Sequence, residues 1–251
     1  MMRKSNIISA TFKYFYRGMS SKTSNRPFTV IVEGNIGSGK TTFINHFQRY
    51  DDVATFAEPV DKWRDVNGHN LLELLYSDTK KTAMTFQSYV QLTMVDIHTR
   101  RCPQPIKVME RSLFSARHCF VENLHQNGFL DGPEYAVLDE WFKWLCKKVD
   151  VEVDMIVYLR TSPEVALDRI KKRGRNEERE VPLSYLEQLH ALHEKWLCEE
   201  KNNITAIPVL VIDGDKMLSD MEDEIKRCAQ LILDSKNQYT ADVLMHSNVP
   251  A

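Results

Sequence analysis

The stretch Gly34-Asn-Ile-Gly-Ser-Gly-Lys-Thr41 constrains this chain more than any other. Glycines at this spacing let the backbone curl around phosphate oxygens and present its N–H groups at a helix N-terminus. Such a loop needs a strand before it and a helix after it, and both flanks agree. Phe28-Thr-Val-Ile-Val-Glu33 is a short β-branched run, and Lys40 to Tyr50 continues with helix formers and an apolar stripe. The pattern predicts a phosphate cradle for a Mg-bound nucleoside triphosphate, with Lys40 on the β/γ-phosphates and the Thr41 hydroxyl on Mg2+. A chance glycine-rich turn is the plain alternative, and the two flanks argue against it.

Further strand candidates are Ala54–Ala57, Ile106–Glu110, Asp154–Leu159 and Ile207–Asp213. Helical periodicity fills Leu71–Tyr76, Thr82–Arg100, Ser112–Gln126, Glu134–Val149, Pro163–Lys172, Pro182–Glu200 and Leu218–Asp234. Strands alternating with helices predict an α/β domain whose parallel, doubly wound sheet has five strands.

At 251 residues the chain is long enough for one such domain, read here as residues 27–235, between a basic extension (1–26) and an unstructured tail (236–251). The first acidic residue is Glu33. Residues 1–32 hold six Lys/Arg, which leaves 27 basic against 35 acidic side chains downstream. A mildly acidic body gives no electrostatic ground for binding a nucleic-acid polymer. No apolar run approaches the roughly 18 residues of a membrane helix. The basic, serine-rich, acid-free start, with Ile8, Phe12, Phe15 and Met19 near one helical face, reads as a mitochondrial transit peptide. A disordered basic tail is the other reading, and a second start at Met19 would give a cytoplasmic or nuclear form. Five scattered cysteines, Cys102, Cys119, Cys146, Cys198 and Cys228, show neither metal-ligand nor redox spacing.

A kinase must also take a proton from the attacking hydroxyl, and open α/β sheets bind ligands beyond the C-terminal ends of their strands. Glu58 follows the second strand, and the third runs into Glu110-Arg111-Ser112. Each charge alone is more often a surface group or structural ion pair; three at strand ends weigh more. Arg169 and Arg173 stand one helical turn apart, with Arg175 beyond, and such cations can close on transferring phosphate. A solvated basic helix end, neutralised by Glu177, Glu178 and Glu180, is the competing reading. Trp63, Tyr76, Phe86, Tyr89, Phe114 and Phe120 crowd the middle of the chain, with the Gln87 amide beside Phe86. Flat walls and an amide suit a base slot, although core packing must claim most of these rings.

Together Glu33–Thr42, Glu58-Pro-Val-Asp-Lys-Trp63, Phe86-Gln-Ser-Tyr89, Glu110-Arg-Ser112, Tyr158-Leu-Arg-Thr-Ser-Pro163 and the arginine stretch resemble the deoxyribonucleoside kinase family. The likeness runs from about Pro27 to Asp234 and lies on the side of the family's multisubstrate insect and mitochondrial thymidine-kinase branches. It implies a P-loop kinase fold with an arginine-rich lid, ATP as phosphate donor, Mg2+, and deoxyribonucleoside acceptors in nucleotide salvage. By this resemblance Gly34, Asn35, Ile36, Gly37, Ser38, Gly39, Lys40, Thr41 and Thr42 hold the triphosphate, Asp213 and Asp215 lie by the adenine, and Thr41 and Glu110 hold Mg2+. Glu58 is then the base for the 5′-hydroxyl and Arg111 bonds that oxygen. Arg169, Arg173 and Arg175 close on the phosphates, while Tyr76 and Glu178 take the sugar 3′-hydroxyl. Gln87 reads the base edge, Phe86 and Phe120 sandwich the ring, and Trp63, Val90, Met94 and Ala116 wall the pocket. Relatives that prefer deoxycytidine and purines carry Arg and Asp where this chain has Met94 and Ala116. The neutral pair favours thymidine and deoxycytidine, with purines weaker. Leu75 replaces a Met of the insect branch, a swap of similar volume that touches fine specificity alone. A homodimer through Ser112–Gln126 and Glu134–Val149 is also implied, with Trp141, Trp144 and Leu145 as apolar surface.

Three other readings compete. A regulatory GTPase needs a guanine-reading Asn-Lys-x-Asp, which the chain lacks. A thymidylate-type monophosphate kinase places a basic residue where this chain has Glu58, because a carboxylate repels an acceptor phosphate. A non-catalytic accessory subunit of respiratory complex I would have shed some of Lys40, Glu58, Arg111 or the lid arginines, and all are present.

Overall fold

The structure is a computed structural model that describes residues 26–199, 207–216, 222–223 and 225–236. The expectations for the basic extension up to residue 25 and for the tail from residue 237 lie outside the described residues.

Five strands, β1 (Phe28–Glu33), β2 (Val53–Phe56), β3 (Ile106–Glu110), β4 (Met155–Arg160) and β5 (Val209–Asp213), form one sheet in the order β2-β3-β1-β4-β5. Every pairing is parallel. The order reverses beside β1, so its C-terminal end opens a crevice between neighbouring crossovers, where ligands of such sheets bind. Along β1 the side chains alternate between two cores. Val30 and Val32 pack with Phe43, Phe47 and Ile232 on one face, and Ile31 packs with Trp63, Phe86 and Met94 on the other. Covering both faces explains why β1 and β3 are buried at every position.

The helices are α1 (Lys40–His46), α2 (Val60–Arg64), α3 (Leu71–Ser77), α4 (Thr79–Thr99), α5 (Leu113–Ser115), α6 (Glu122–Gln126), α7 (Gly132–Lys148), α8 (Pro163–Arg173) and α9 (Leu183–Glu194). Residues 225–236 are also helical and seat Ile225, Cys228, Ala229 and Ile232 in the first core. The single helix expected over Ser112–Gln126 is instead α5, a π-helical turn (Ala116–Val121) and α6. The end of the helix expected over Pro182–Glu200 is likewise a π turn, Lys195–Glu199. Helix α2 was not anticipated, because five residues give no readable period.

Lys107, on a central strand, is buried and donates from Nζ to the carbonyls of Ile97 at 2.6 Å, His98 at 2.8 Å and Arg100 at 2.9 Å. These carbonyls lie at the C-terminus of α4, where the Arg100 N–H also bonds Ile97 O, so a strand side chain helps to cap the helix. His98 Nε2 accepts the Leu113 N–H at 3.2 Å and joins the same helix end to the turn after β3.

Candidate active site

Five apolar or β-branched residues and then Glu33 carry β1 straight into the loop that follows it, and the loop's glycines decide its shape. Gly37 has φ +80°, and a Cβ there would stand 2.5 Å from the Ala166 carbonyl of α8. Only glycine permits both the left-handed backbone and that approach. Gly39, also left-handed, is the N-cap of α1, which aims the helix N-terminus into the loop. Asn35 ties the loop down from behind: its Nδ2 donates to Leu186 O at 2.8 Å and its Oδ1 accepts the Ile36 N–H. Lys40 is buried and folds back, Nζ lying 2.7 Å from Asn35 O and 3.2 Å from Gly34 O. Burial, and then the neighbouring Arg111 charge, draw its pKa down to about 7. A cation so poorly solvated gains a strong partner when an anion enters the loop. Ser38 is buried within the loop, whereas Thr41 and Thr42 are exposed at its mouth.

The Thr41 hydroxyl donates to the Glu110 carboxylate, 3.0 and 3.1 Å from its two oxygens. Adjacent hydroxyl and carboxylate oxygens suit a hard divalent cation such as Mg2+. Among the described residues no cluster of three or more His, Cys, Asp or Glu side chains is placed to hold a metal by itself. A cation at this pair would need oxygens from water or a ligand to complete its shell.

Arg111 follows Glu110 with φ +61°, a conformation that strains any residue with a Cβ. It is held from three sides: its N–H bonds Val32 O at 3.0 Å, Nη1 bonds Gly34 O at 3.0 Å, and Nε stands 2.8 Å from Glu58 Oε1. The last contact meets the distance of an ion pair without the alignment of a hydrogen bond, so Nε counts as unpartnered in hydrogen-bond terms. The guanidinium also lies 4.7 Å from the centre of the Phe120 ring. Burial raises the Glu58 pKa above its usual 4.5, opposed by Arg111 and reinforced by Glu110. Behind this pair Glu33 is fully buried; it accepts a hydrogen bond from Ser112 Oγ at 2.5 Å, its other oxygen has no partner, and burial lifts its pKa to about 7.

From Lys40, Glu58, Glu110 and Arg111 a cleft of about 760 Å3, open mouth included, runs away from the loop. Trp63, Tyr76, Phe86, Gln87, Val90, Met94, Ala116, Phe120 and Glu178 all line it. Trp63 Nε1 donates to Thr93 Oγ1 at 2.9 Å, which fixes the indole edge-on to Phe86, 5.5 Å between ring centres. Gln87 is buried and its Oε1 has no partner, an acceptor left for a ligand. At the rim Glu178 is buried and accepts from Arg175 Nη1 at 3.2 Å and from Arg173 Nη2. Tyr89 and Phe114 pack into the core instead, Phe114 against His98 and Phe142.

The structure does not bring every expected residue into the cleft. Arg173 and Arg175 line it, but Arg169 donates to Lys216 O at 3.3 Å, on the side of the turn after β5. In that turn Asp215 Oδ1 accepts the Ser162 N–H at 2.8 Å and Asp213 Oδ1 accepts the Asp215 N–H at 3.1 Å. Both aspartates therefore brace backbone at the end of β4 and β5, on the same sheet edge as the loop. Conversely, Val60, Leu72, Ser115 and Tyr185 line the cleft without having been singled out. Tyr185 belongs to α9, and its sequence shows only an ordinary amphipathic position.

A family model described as deoxynucleoside kinase matches residues 30–235, the span that holds both the loop and the whole cleft. The chain belongs to the deoxynucleoside kinase family. It is similar to mitochondrial thymidine kinase 2 of Homo sapiens, 48% identical over 209 residues, 83% of this chain and 79% of that protein. Deoxycytidine kinase 2 of Gallus gallus is 33% identical over 83% of this chain and 92% of its own length. Deoxycytidine kinase of Homo sapiens is 32% identical over 80% and 89%. This kinase is thus a phosphotransferase of nucleotide salvage with ATP as donor and a deoxynucleoside as acceptor, built on the P-loop kinase fold. The monophosphate-kinase and accessory-subunit readings are not favoured by these relatives. Among the described residues no helix is long and apolar enough to cross a membrane.

Proposed function

We propose that the enzyme passes the γ-phosphate of ATP to the 5′-hydroxyl of thymidine and deoxycytidine, with purine deoxynucleosides weaker. The observation that carries this is the Glu58 and Arg111 pair, set between an aromatic cleft and the Lys40 loop. A carboxylate there accepts a proton from a hydroxyl and would repel an acceptor phosphate. Raised by burial, Glu58 is a stronger base than an ordinary carboxylate, while Arg111 keeps it ionised and bonds the hydroxyl oxygen. Lys40, Arg173 and Arg175 bear on the phosphate charge, with Arg169 reaching it from α8 when that segment closes as a lid. The loop from Gly34 to Thr42 cradles the triphosphate, with Asp213 and Asp215 beside the adenine. Thr41 and Glu110 would hold Mg2+, whose charge offsets that of the β- and γ-phosphates.

On the acceptor side Tyr76 and Glu178 take the 3′-hydroxyl, and Phe86 and Phe120 enclose the base. The Gln87 amide has a donor and an acceptor, so a flip pairs it with thymine in one orientation and cytosine in the other. Met94 and Ala116 add no charge to that choice, and Val90 and Trp63 close the walls. The naming of the similar proteins as thymidine and deoxycytidine kinases supports both substrates.

Two features of assembly and address belong to the same proposal. Trp141 and Trp144 of α7, 56% and 50% exposed, stand edge-to-face beside Val137, and this apolar face pairs two copies as a homodimer. Translation from Met1 directs the chain to mitochondria, as the name of the human relative supports, and translation from Met19 leaves it in cytoplasm or nucleus. The test is phosphate transfer from labelled ATP to each of the four deoxynucleosides, with light scattering for the dimer. Faster turnover of purines than of thymidine overturns the substrate reading, and a monomer overturns the dimer.

A further inference from the structure

The π turn Ala116–Val121 interrupts the helical run between Leu113 and Gln126. Such turns are rare, pack their hydrogen bonds less well than an α-helix, and persist where the surroundings hold them. This one supplies two cleft residues, Ala116 and Phe120. The side chains between them point elsewhere. Cys119 is buried against Leu189 and Leu192 of α9. His118 lies between Phe142 and Trp196, with ring centres 5.6 and 5.5 Å away. Arg117 does not line the cleft, yet its guanidinium is almost wholly buried against α7.

The partners of Arg117 form a closed set. Nε donates to Asp139 Oδ1 at 2.7 Å, Nη2 donates to Tyr135 Oη at 2.6 Å, and Nη1 reaches Glu122 Oε2 at 3.3 Å. Tyr135 Oη in turn donates to Glu122 Oε2 at 2.7 Å, and its ring lies 4.5 Å from the guanidinium. Charge-assisted bonds in three directions fix a planar group far more firmly than one ion pair does. Asp139 and Tyr135 belong to α7, so the π turn is anchored to a long, rigid helix. No step of phosphate transfer uses any of these groups.

We infer that Arg117 is a positioning residue for base selection: its bonds to Asp139, Tyr135 and Glu122 hold the π turn so that Ala116 and Phe120 both face the nucleobase. The inference rests on the proposed reading of those two residues as base contacts. Without the anchor the turn relaxes towards α-helical spacing, which rotates Phe120 relative to Ala116 about the helix axis. The damage then falls on the acceptor base and spares the ATP loop.

Steady-state kinetics of the full chain with thymidine, deoxycytidine and ATP test this. Arg117→Met is expected to raise both nucleoside KM values about tenfold, to change their ratio, and to leave kcat and the ATP KM within about twofold. Arg117→Lys, which keeps the charge and loses the fork, should recover part of the loss. If Arg117→Met does not fold, Tyr135→Phe carries the test with a smaller rise of about threefold in nucleoside KM alone. Nucleoside KM values within twofold of the wild type, or an ATP KM that climbs in parallel, overturn the inference. Phe120→Ala separates the two levels. An unchanged nucleoside KM in that variant overturns the base-pocket reading itself, whereas a raised one beside an unaffected Arg117→Met removes only the role of Arg117.

Discussion

Arg111 Nε stands 2.8 Å from Glu58 Oε1, joining the end of β3 to the turn that follows β2. Arg111 opposes the burial that raises the pKa of this carboxylate, the base proposed for the acceptor hydroxyl. Glu58→Gln preserves shape and removes the base. Turnover should fall about 10²- to 10⁴-fold while thymidine binding, measured by calorimetry, stays within a few fold. Full turnover in this variant refutes the assignment.

Because burial raises the Glu58 pKa, the base is lost at a higher pH than an ordinary carboxylate would be. The rate should therefore fall on acidification through a midpoint above 4.5, with the protonated form inactive. A pH profile of kcat/KM for thymidine measures it, and a midpoint at or below that value contradicts the geometry.

Thr41 and Glu110 are the oxygen pair proposed above to hold Mg2+. Chelation should abolish transfer and added Mg2+ restore it. Thr41→Val should raise the Mg2+ concentration for half-maximal rate by about tenfold, leaving the thymidine KM unchanged. A Mg2+ titration that superimposes on the wild type removes Thr41 from the site.

Met94 and Ala116 face the same cleft from α4 and the π turn. Introducing Met94→Arg with Ala116→Asp places a charged pair against the base edge. The ratio of kcat/KM for deoxyadenosine over thymidine should increase about tenfold or more. An unchanged ratio across the four deoxynucleosides counts against this map of the pocket.

Glu33 makes stability depend on pH in an unusual direction. Burial lifts its pKa from 4.5 to about 7, so the folded chain holds this proton more tightly than the unfolded one. Its contribution is complete below 4.5 and is lost as pH rises to about 7. Relative to Glu33→Gln, the wild type should lose about 3 kcal/mol of unfolding free energy across that window. Urea denaturation at several pH values reads the difference, and a gap that does not vary with pH excludes a buried, titrating Glu33.

Some of this was legible in the sequence for definite reasons. Strands buried on both faces are rich in apolar and β-branched residues, so β1 and β3 were found with the bounds predicted for them, although each also buries a charged side chain, Glu33 or Lys107. The glycine loop was legible because its φ angles and its close approach to α8 exclude other residues. What escaped detection depends on partners far away in sequence. Asn35 looks like a phosphate ligand until its amide is found on Leu186, and Tyr185 reaches the cleft only because α9 crosses it. The π turn has no sequence period of its own, and the α7 partners of its Arg117, Asp139 and Tyr135, lie about twenty residues away. Arg169 and Arg173 share a helix face, yet the end of α8 lets Arg173 turn to Glu178 while Arg169 meets the turn after β5.

The strand order has a last consequence. The loop leaves β1, Glu110 ends β3 with Arg111 just beyond it, and Glu58 follows β2, so these groups hang from three consecutive rungs of one hydrogen-bonded ladder. Neighbouring rungs lie about 4.8 Å apart whatever the side chains. The backbone thus acts as a ruler that sets the reach from the Glu58 turn to the glycine loop, and loops can vary around it without changing that length. A core substitution that shifted β3 by one residue would misplace the chemistry while leaving every active-site residue intact.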